Sequence, residues 1–261
     1  MKSTVHPNGW DRVARTASDG RAANGVYVTT SWDDGHVLDH QLAQLLDRYD
    51  LPGTFYVAPR NIELRPRERL DARGLRLLAE RFEIGGHTLT HLRLPTIADD
   101  AAMAEIRDGK SALEDMLGRE LHSFCYPGGC YETRHVPMVG EAGFRVGRTV
   151  ERLVTGPTAP LEMATTMHAY RHLVDGPATL RLTSFRPGRA RRLYWNWDEL
   201  AIHLFENVLA AGGVYHLWGH SWEIAANQDW DRLERVFAHI SRRSEVTYVD
   251  NGDLPMLGAA A

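Results

Sequence analysis

The sequence predicts an α/β fold, a mostly parallel sheet or barrel covered by helices. Three observations carry that expectation. Short runs rich in β-branched and aromatic residues alternate with longer amphipathic stretches, tight hairpin signals between them are few, and polar clusters fall where the predicted strands end. Parallel α/β sheets and barrels usually place their sites at those strand ends.

The first predicted strand is Val26 to Ser31, bounded by Gly25 and by Asp33-Asp34-Gly35, so an acidic pair sits at its C-terminal end. His36 to Tyr49 reads as an amphipathic helix with Leu38, Leu42, Leu45, Leu46 and Tyr49 on one stripe. A strand over Gly53 to Ala58 follows, then a helix from the N-cap Asp71 through Leu75, Leu78 and Phe82. Phe82 to Gly85 is a short strand that delivers His87, and Ile97 to Leu117 is a helix stopped by Gly118. His122 to Tyr126 is a strand ending in the turn Pro127-Gly128-Gly129. Helix from Thr133 to Glu141, strand from Phe144 to Val150 and strand near Met163 to Ala169 continue the alternation. Asp175 to Arg192 shows no clear period and reads as an irregular connection, its arginines forming a solvated loop. The chain closes with helix Trp197 to Leu209, strand Val214 to Trp218, helix Trp230 to Ile240 and strand Val246 to Val249. No repeat and no linker divides it, so a single domain is expected.

At 261 residues the chain is long enough for a substantial core, and 43% hydrophobic with 25% charged residues is an ordinary globular composition. A formal net charge of -4 argues against a general nucleic-acid-binding surface. Met1 to Gly25 is polar and lacks the apolar core of a secretory signal, and no run is long enough to cross a bilayer, so a cytoplasmic location is expected. Cys125 and Cys130, the only cysteines, are read as two free thiols.

Two stretches carry chemistry. His87-Thr88-Leu89-Thr90-His91 places two imidazoles four residues apart, which on a helical turn would share one face and reach one cation. Two imidazoles leave a divalent ion under-ligated, and Ser31-Trp32-Asp33-Asp34-Gly35 offers carboxylates. Neighbours in an extended segment point to opposite sides, so one aspartate can bind metal while the other does another task. Such a mixed donor set suits a borderline ion such as zinc and leaves positions for water and substrate. Each motif has a plainer reading, as a turn for the aspartates or as scattered histidines among the 13 in the chain. Their joint placement at strand ends favours the metal site.

These residues resemble the polysaccharide deacetylase family, which implies an irregular (β/α) barrel, with 1–25 as a polar extension and 26–261 as the catalytic domain. The family's Thr-Phe-Asp-Asp-Gly motif is matched by Ser31-Trp32-Asp33-Asp34-Gly35, and its His-Ser/Thr-x-x-His motif by His87-Thr88-Leu89-Thr90-His91. The resemblance implies Asp33 as general base and Asp34, His87 and His91 as ligands of one divalent metal, zinc or else cobalt, nickel, manganese or iron. The third motif corresponds to Phe124-Cys125-Tyr126-Pro127-Gly128-Gly129, with Cys125 where an arginine often stands against the base and Gly128 where an aromatic wall is common. The Gly128 amide can still donate to an oxyanion, and Arg145 or Arg148 is the candidate substitute for the arginine. In Val214-Tyr215-His216-Leu217-Trp218-Gly219-His220, His220 is the expected general acid with His216 in reserve. Trp218, Trp222 and Tyr126 are expected at the substrate. The motif that usually lies between has only a loose echo in Trp197-Asp198.

The implied activity is hydrolysis of an amide on a small-molecule or glycan substrate, an N-acetyl group on an amino sugar first. A cytoplasmic setting favours a soluble, lipid-linked or nucleotide-linked sugar over exported polymer. The alternatives are a non-sugar amidase of the same family, ureide-opening or deformylating, and a metal-binding scaffold without activity.

Overall fold

The computed structural model describes residues 25–173 and 176–257; all of the expected N-terminal extension except Gly25 lies outside them. In chain order the described residues form β1 (Val26–Asp34), α1 (Asp39–Arg48), β2 (Thr54–Val57), α2 (Ala72–Ala79), β3 (Glu83–Gly86) and α3 (Asp99–Leu117). They continue with β4 (Ser123–Cys125), α4 (His135–Glu141), β5 (Val146–Arg148), β6 (Met167–His168), α5 (Gly176–Leu182) and α6 (Pro187–Trp195). The last elements are α7 (Trp197–Ala211), β7 (Gly213–Gly219), α8 (Ser221–Ala226), α9 (Trp230–Ile240) and β8 (Val246–Tyr248).

The strands form one sheet in the order β5-β4-β3-β2-β1-β7-β6, with β8 paired to β1. Every strand pair is parallel. The edges approach one another through the run from Met163 to His168. Met163 N donates to Gly147 O at 2.7 Å and Thr149 N to Met163 O at 2.8 Å on the β5 side, while Thr166 N donates to His216 O at 3.0 Å on the β7 side. The result is a single-domain (β/α) barrel, irregular because its closure rests on this short segment.

Side-chain parity along β1 organises the interior. Val28 and Trp32 point outward into the apolar layer under the helices, where Trp32 meets Phe237 of α9 edge-on at 6.0 Å. Thr29, Ser31 and Asp33 point inward, into a polar lumen. There Thr29 Oγ1 donates to Asn251 Oδ1 at 2.8 Å, Asn251 Nδ2 donates to the Tyr56 hydroxyl at 2.9 Å, and Ser31 Oγ lies 2.8 Å from His216 Nε2. Buried polar groups are tolerable only with such partners, and this network ties the C-terminal segment to three strands.

Local signals act as expected at several ends. The Asp71 carboxylate caps α2 by accepting from Gly74 N at 2.7 Å, and Gly118 ends α3 with φ of 68°. Three expectations are corrected. Of the expected irregular connection from Asp175 to Arg192, Asp175 lies outside the described residues and 176–192 is largely helical, in α5 and α6. Its buried positions are Ala178, Thr179, Ala190 and Leu193, too small and sparse to print an apolar period, while Arg186, Arg189, Arg191 and Arg192 are exposed as anticipated. The segment His87 to His91 is no helical turn but a loop leaving β3, with positive φ at Thr88 (60°) and His91 (71°). Helix α8, unanticipated, follows β7 directly. Both cysteines are free thiols.

Candidate metal centre and its surroundings

The site is built on the C-terminal ends of β1, β3, β4, β5 and β7. At the end of β1, parity sends the two aspartates apart. Asp33 turns into the lumen. Asp34, with φ of 84°, turns towards the loop after β3. A positive φ at a non-glycine residue is a strained state that the surroundings must enforce.

Asp34 Oδ1 lies 3.1 Å from His91 Nε2 and 3.7 Å from His87 Nε2, and the two imidazole nitrogens are 3.1 Å apart. These are near the ~3.3 Å that separates ligand atoms in a tetrahedron of radius 2.0–2.1 Å, the usual zinc geometry. Asp34 Oδ1 is buried without a hydrogen-bond partner, whereas Oδ2 accepts from the Trp222 indole at 2.7 Å. His87 Nδ1 donates to Cys125 O at 2.7 Å, which leaves its Nε2 lone pair facing the cluster. The three atoms thus converge on one point, with Asp34 Oδ2 and His87 Nδ1 already engaged elsewhere and His91 Nδ1 3.2 Å from Glu63 Oε2, and the donor set fits a divalent cation. Burial opposes the charge on Asp34, but His91 and His220 hold its carboxyl far below the usual range. Burial and the neighbouring His91 push His87 down to about 4, so its imidazole is neutral.

The loop that carries the histidines is held by α3. Glu105 accepts from Leu89 N at 3.1 Å, Thr90 N at 2.9 Å and Thr90 Oγ1 at 2.8 Å. Thr88 Oγ1 accepts from His91 N at 3.0 Å. One turn further along α3, Gly109 lets the helix lie against the loop backbone: a Cβ there would stand 2.6 Å from the Thr88 carbonyl carbon.

Asp33 is 3% exposed and forms a buried ion pair with Arg148 of β5. Burial raises its pKa, yet Arg148, His87 and His220 outweigh that and hold the carboxyl below its ordinary value. The Cys125 thiol, 3.7 Å from Asp33 Oδ2, contributes a weak donor. In the β4–β5 register Cys125 stands directly beside Arg148, so the arginine reaches the carboxylate from the adjacent strand. Of the two substitutes considered from sequence, Arg148 makes the contact. Arg145 precedes β5 and is exposed.

His220 Nε2 is 4.0 Å from Asp33 Oδ2, and His220 Nδ1 is 3.1 Å from Glu223 Oε2. Burial opposes its charge, but Glu223, Asp34 and Asp33 push the ring up to about 9. His216 sits deeper in the lumen against Ser31 and is pushed down to about 3 by burial and Arg148. Gly128, at φ of 59° in the turn after β4, is exposed beside the Arg93 guanidinium.

The three aromatic residues expected at the substrate differ in placement. Trp218 is buried, with His168 stacked on it at 3.8 Å and the Arg148 guanidinium over its ring at 4.5 Å. Tyr126 is buried too: its hydroxyl donates to Leu161 O at 2.9 Å and its ring stacks on Tyr131 at 4.3 Å. Only Trp222, 37% exposed and 5.1 Å from the His220 ring, reaches the surface of the site. Glu105, Gly109, His168 and Glu223 were not anticipated. The i, i+3 spacing of His220 and Glu223 is the one local signal among them.

A parallel barrel gathers a carboxylate and two imidazoles at its strand ends, beside a second carboxylate and a third imidazole, a group that could hold a metal ion. Residues 20–147 match the family model described as polysaccharide deacetylase. Among solved structures the chain is similar to a Mycobacterium smegmatis protein assigned as a polysaccharide deacetylase, at 15% identity and TM-score 0.63, with 93% of each chain covered. It is also similar to the chitin deacetylase of the fungal pathogen Colletotrichum lindemuthianum, at 18% identity and TM-score 0.55, with 88% of this chain and 87% of that one covered. A mutant of a Bacillus anthracis CE4 family pseudoenzyme with restored activity matches at 13% identity and TM-score 0.55, covering 88% and 67%. At these identities the likeness is one of fold. Across such structures the chain spans from 45% to 93% of the partner's length. No curated protein matches it in sequence.

Two outcomes follow from this geometry. Replacing Arg148 with Met strands a buried carboxylate and is expected to cost about 3–5 kcal/mol in urea unfolding at pH 7. Because the Asp33 pKa is lowered in the fold, the pair stabilises above the ordinary carboxylate pKa and loses that contribution as pH falls through the lowered value. Arg148→Met should remove this dependence, and an unchanged stability–pH profile would contradict it. Gly109→Ala, favourable for an isolated helix by about 1 kcal/mol, should instead displace the histidine loop and weaken metal affinity by tenfold or more in a calorimetric titration.

Proposed function

We propose that this chain is a metal-dependent hydrolase of carbon–nitrogen amide bonds that removes an N-acetyl group from an amino sugar or an amino-sugar-containing intermediate. The match of residues 20–147 to the polysaccharide deacetylase family model supports the class of reaction. The observation that carries the reading for this chain is the convergence of Asp34 Oδ1, His87 Nε2 and His91 Nε2 within 3.7 Å, with Asp33 and His220 alongside.

Asp34, His87 and His91 would hold the ion, zinc by the character of the donors, with cobalt, nickel, manganese or iron as alternatives. When bound, such an ion polarises an amide carbonyl and acidifies water. Asp33, kept ionised and oriented by Arg148, accepts the proton of the attacking water. The Gly128 amide, at the exposed turn after β4, stabilises the oxyanion that develops on the carbonyl oxygen. His220 donates its Nε2 proton to the departing amine, and Glu223 supports the charge it must carry beforehand. Trp222 offers the ring of a sugar an apolar face at the rim. With a cytoplasmic location, the substrate is a soluble, lipid-linked or nucleotide-linked sugar. Among the described residues, no helix is long and apolar enough to cross a membrane.

His87→Ala should abolish both metal binding at the Asp34–His87–His91 centre and release of acetate from N-acetylated sugars; full activity in that variant sinks the assignment. Asp33→Asn should retain the metal and lose on the order of 10²–10⁴ in kcat, and equal rates with the wild type would favour a metal-binding scaffold. A panel setting N-acetyl sugars against ureides and formamides, read by amine release, separates the sugar deacetylase from the other amidases. Activity requires ionised Asp33 and protonated His220. It should therefore climb as pH rises through the lowered Asp33 pKa and fall as pH passes the raised value of His220, about 9.

A further inference from the structure

We infer that His168, His220 and Glu223 form a second divalent-metal site, separate from the Asp34–His87–His91 centre, and that an ion bound there withholds His220 from catalysis so that excess metal inhibits. The inhibitory part rests on the proposed role of His220 as acid; the site itself does not.

The cluster is assembled by neighbouring strands. His168 ends β6 and is paired in register with Trp218 of β7, His220 follows β7, and Glu223 lies on the first turn of α8. Glu223 Oε2 is 3.1 Å from His168 Nε2 and 3.1 Å from His220 Nδ1. All three ligand atoms lie within 4.8 Å of one another. Two imidazoles and one carboxylate form a zinc-type donor set with a position left for water, and edges near 3.1 Å approach the ~3.3 Å of a tetrahedral ion.

A second observation distinguishes this from a carboxylate merely bridging two rings. His168 is 4% exposed, and its Nε2, although 3.1 Å from Glu223 Oε2, has no hydrogen-bond partner of good geometry. The other nitrogen is engaged: His168 Nδ1 is 2.7 Å from His172 Nε2. With Nδ1–H donating to His172, the Nε2 lone pair is left pointing into the cluster, the outer-shell arrangement by which proteins orient a metal-ligating imidazole. Trp218, stacked on the ring at 3.8 Å, fixes its plane. Arg152, a nearby cation, makes this the weaker of the two sites, the one to fill second.

His220 turns one nitrogen to each centre. Binding of the ion at Nδ1 releases the Nδ1 proton of the imidazolium to solvent. The ring that remains is a metal-bound neutral imidazole, whose Nε2–H is not acidic enough near neutrality to serve a leaving amine. Activity should rise with the first equivalent of metal and fall with the second.

The test titrates chelator-treated full chain with Zn²⁺ by calorimetry, with bound metal counted by elemental analysis and circular dichroism as the check on folding. The wild type should bind two equivalents, the second at least tenfold weaker. His168→Gln and His87→Ala should each bind one, and the double variant none. Glu223→Gln, of nearly equal volume, should also bind one and decides the matter if His168→Gln does not fold. One equivalent in the wild type, or two in a folded His168→Gln or Glu223→Gln, overturns the site. Against an N-acetylated sugar, excess Zn²⁺ should inhibit the wild type by tenfold or more. Two bound equivalents with undiminished turnover would overturn the inhibitory part. If no acetamide is hydrolysed at any metal level, the deacetylase reading fails while the stoichiometry still decides the site.

Discussion

The buried pair between Asp33 and Arg148 is the contact around which the strand ends are arranged. A carboxylate 3% exposed could not stay ionised inside a barrel without a close cation, and an unpaired guanidinium there would be as costly. Arg148 in turn lies over the rings of Tyr56 and Trp218, at 5.3 and 4.5 Å, so β1, β2, β5 and β7 are all engaged by one charge pair. Parity then does the rest: with Asp33 committed to the lumen, Asp34 must leave on the other side, towards the loop after β3.

That loop is held away from its intrinsic preference. Positive φ at Thr88, a β-branched residue, and at His91 is sustained because Glu105 takes up two backbone amides and a hydroxyl, and because Gly109 permits α3 to approach. The geometry of the two imidazoles is therefore maintained by α3 through the backbone of their loop. A candidate metal centre needs its side chains held within a few tenths of an ångström, and here the rigidity comes from the layer behind them.

His220 links the two halves of the site. Its Nε2 side belongs with Asp33, and its Nδ1 side belongs with Glu223 and, through it, with His168 and His172. The same carboxylate that favours the charged ring also lines the polar cluster below it. Proton and cation compete there for one nitrogen.

What the sequence determined by itself is what can be read along one strand or one loop. The alternation of elements, the paired aspartates at the end of β1, the histidine spacing after β3, the glycine turn after β4 and the histidine closing β7 all depend on neighbours in the chain. The tertiary structure decided what stands beside what. Arg148 rather than Arg145 meets Asp33 because the parallel register sets it next to Cys125, and no local spacing encodes a lateral register. His216 faces the lumen and His220 the site because the strand ends between them. Trp218 is sealed under His168 and Arg148 while Trp222, four residues on, stays at the rim and holds Asp34. The helices between Gly176 and Trp195 escaped notice because small buried residues leave no period to read. Covalent order carries local conformation; the partners of a buried charge are chosen only when the strands come together.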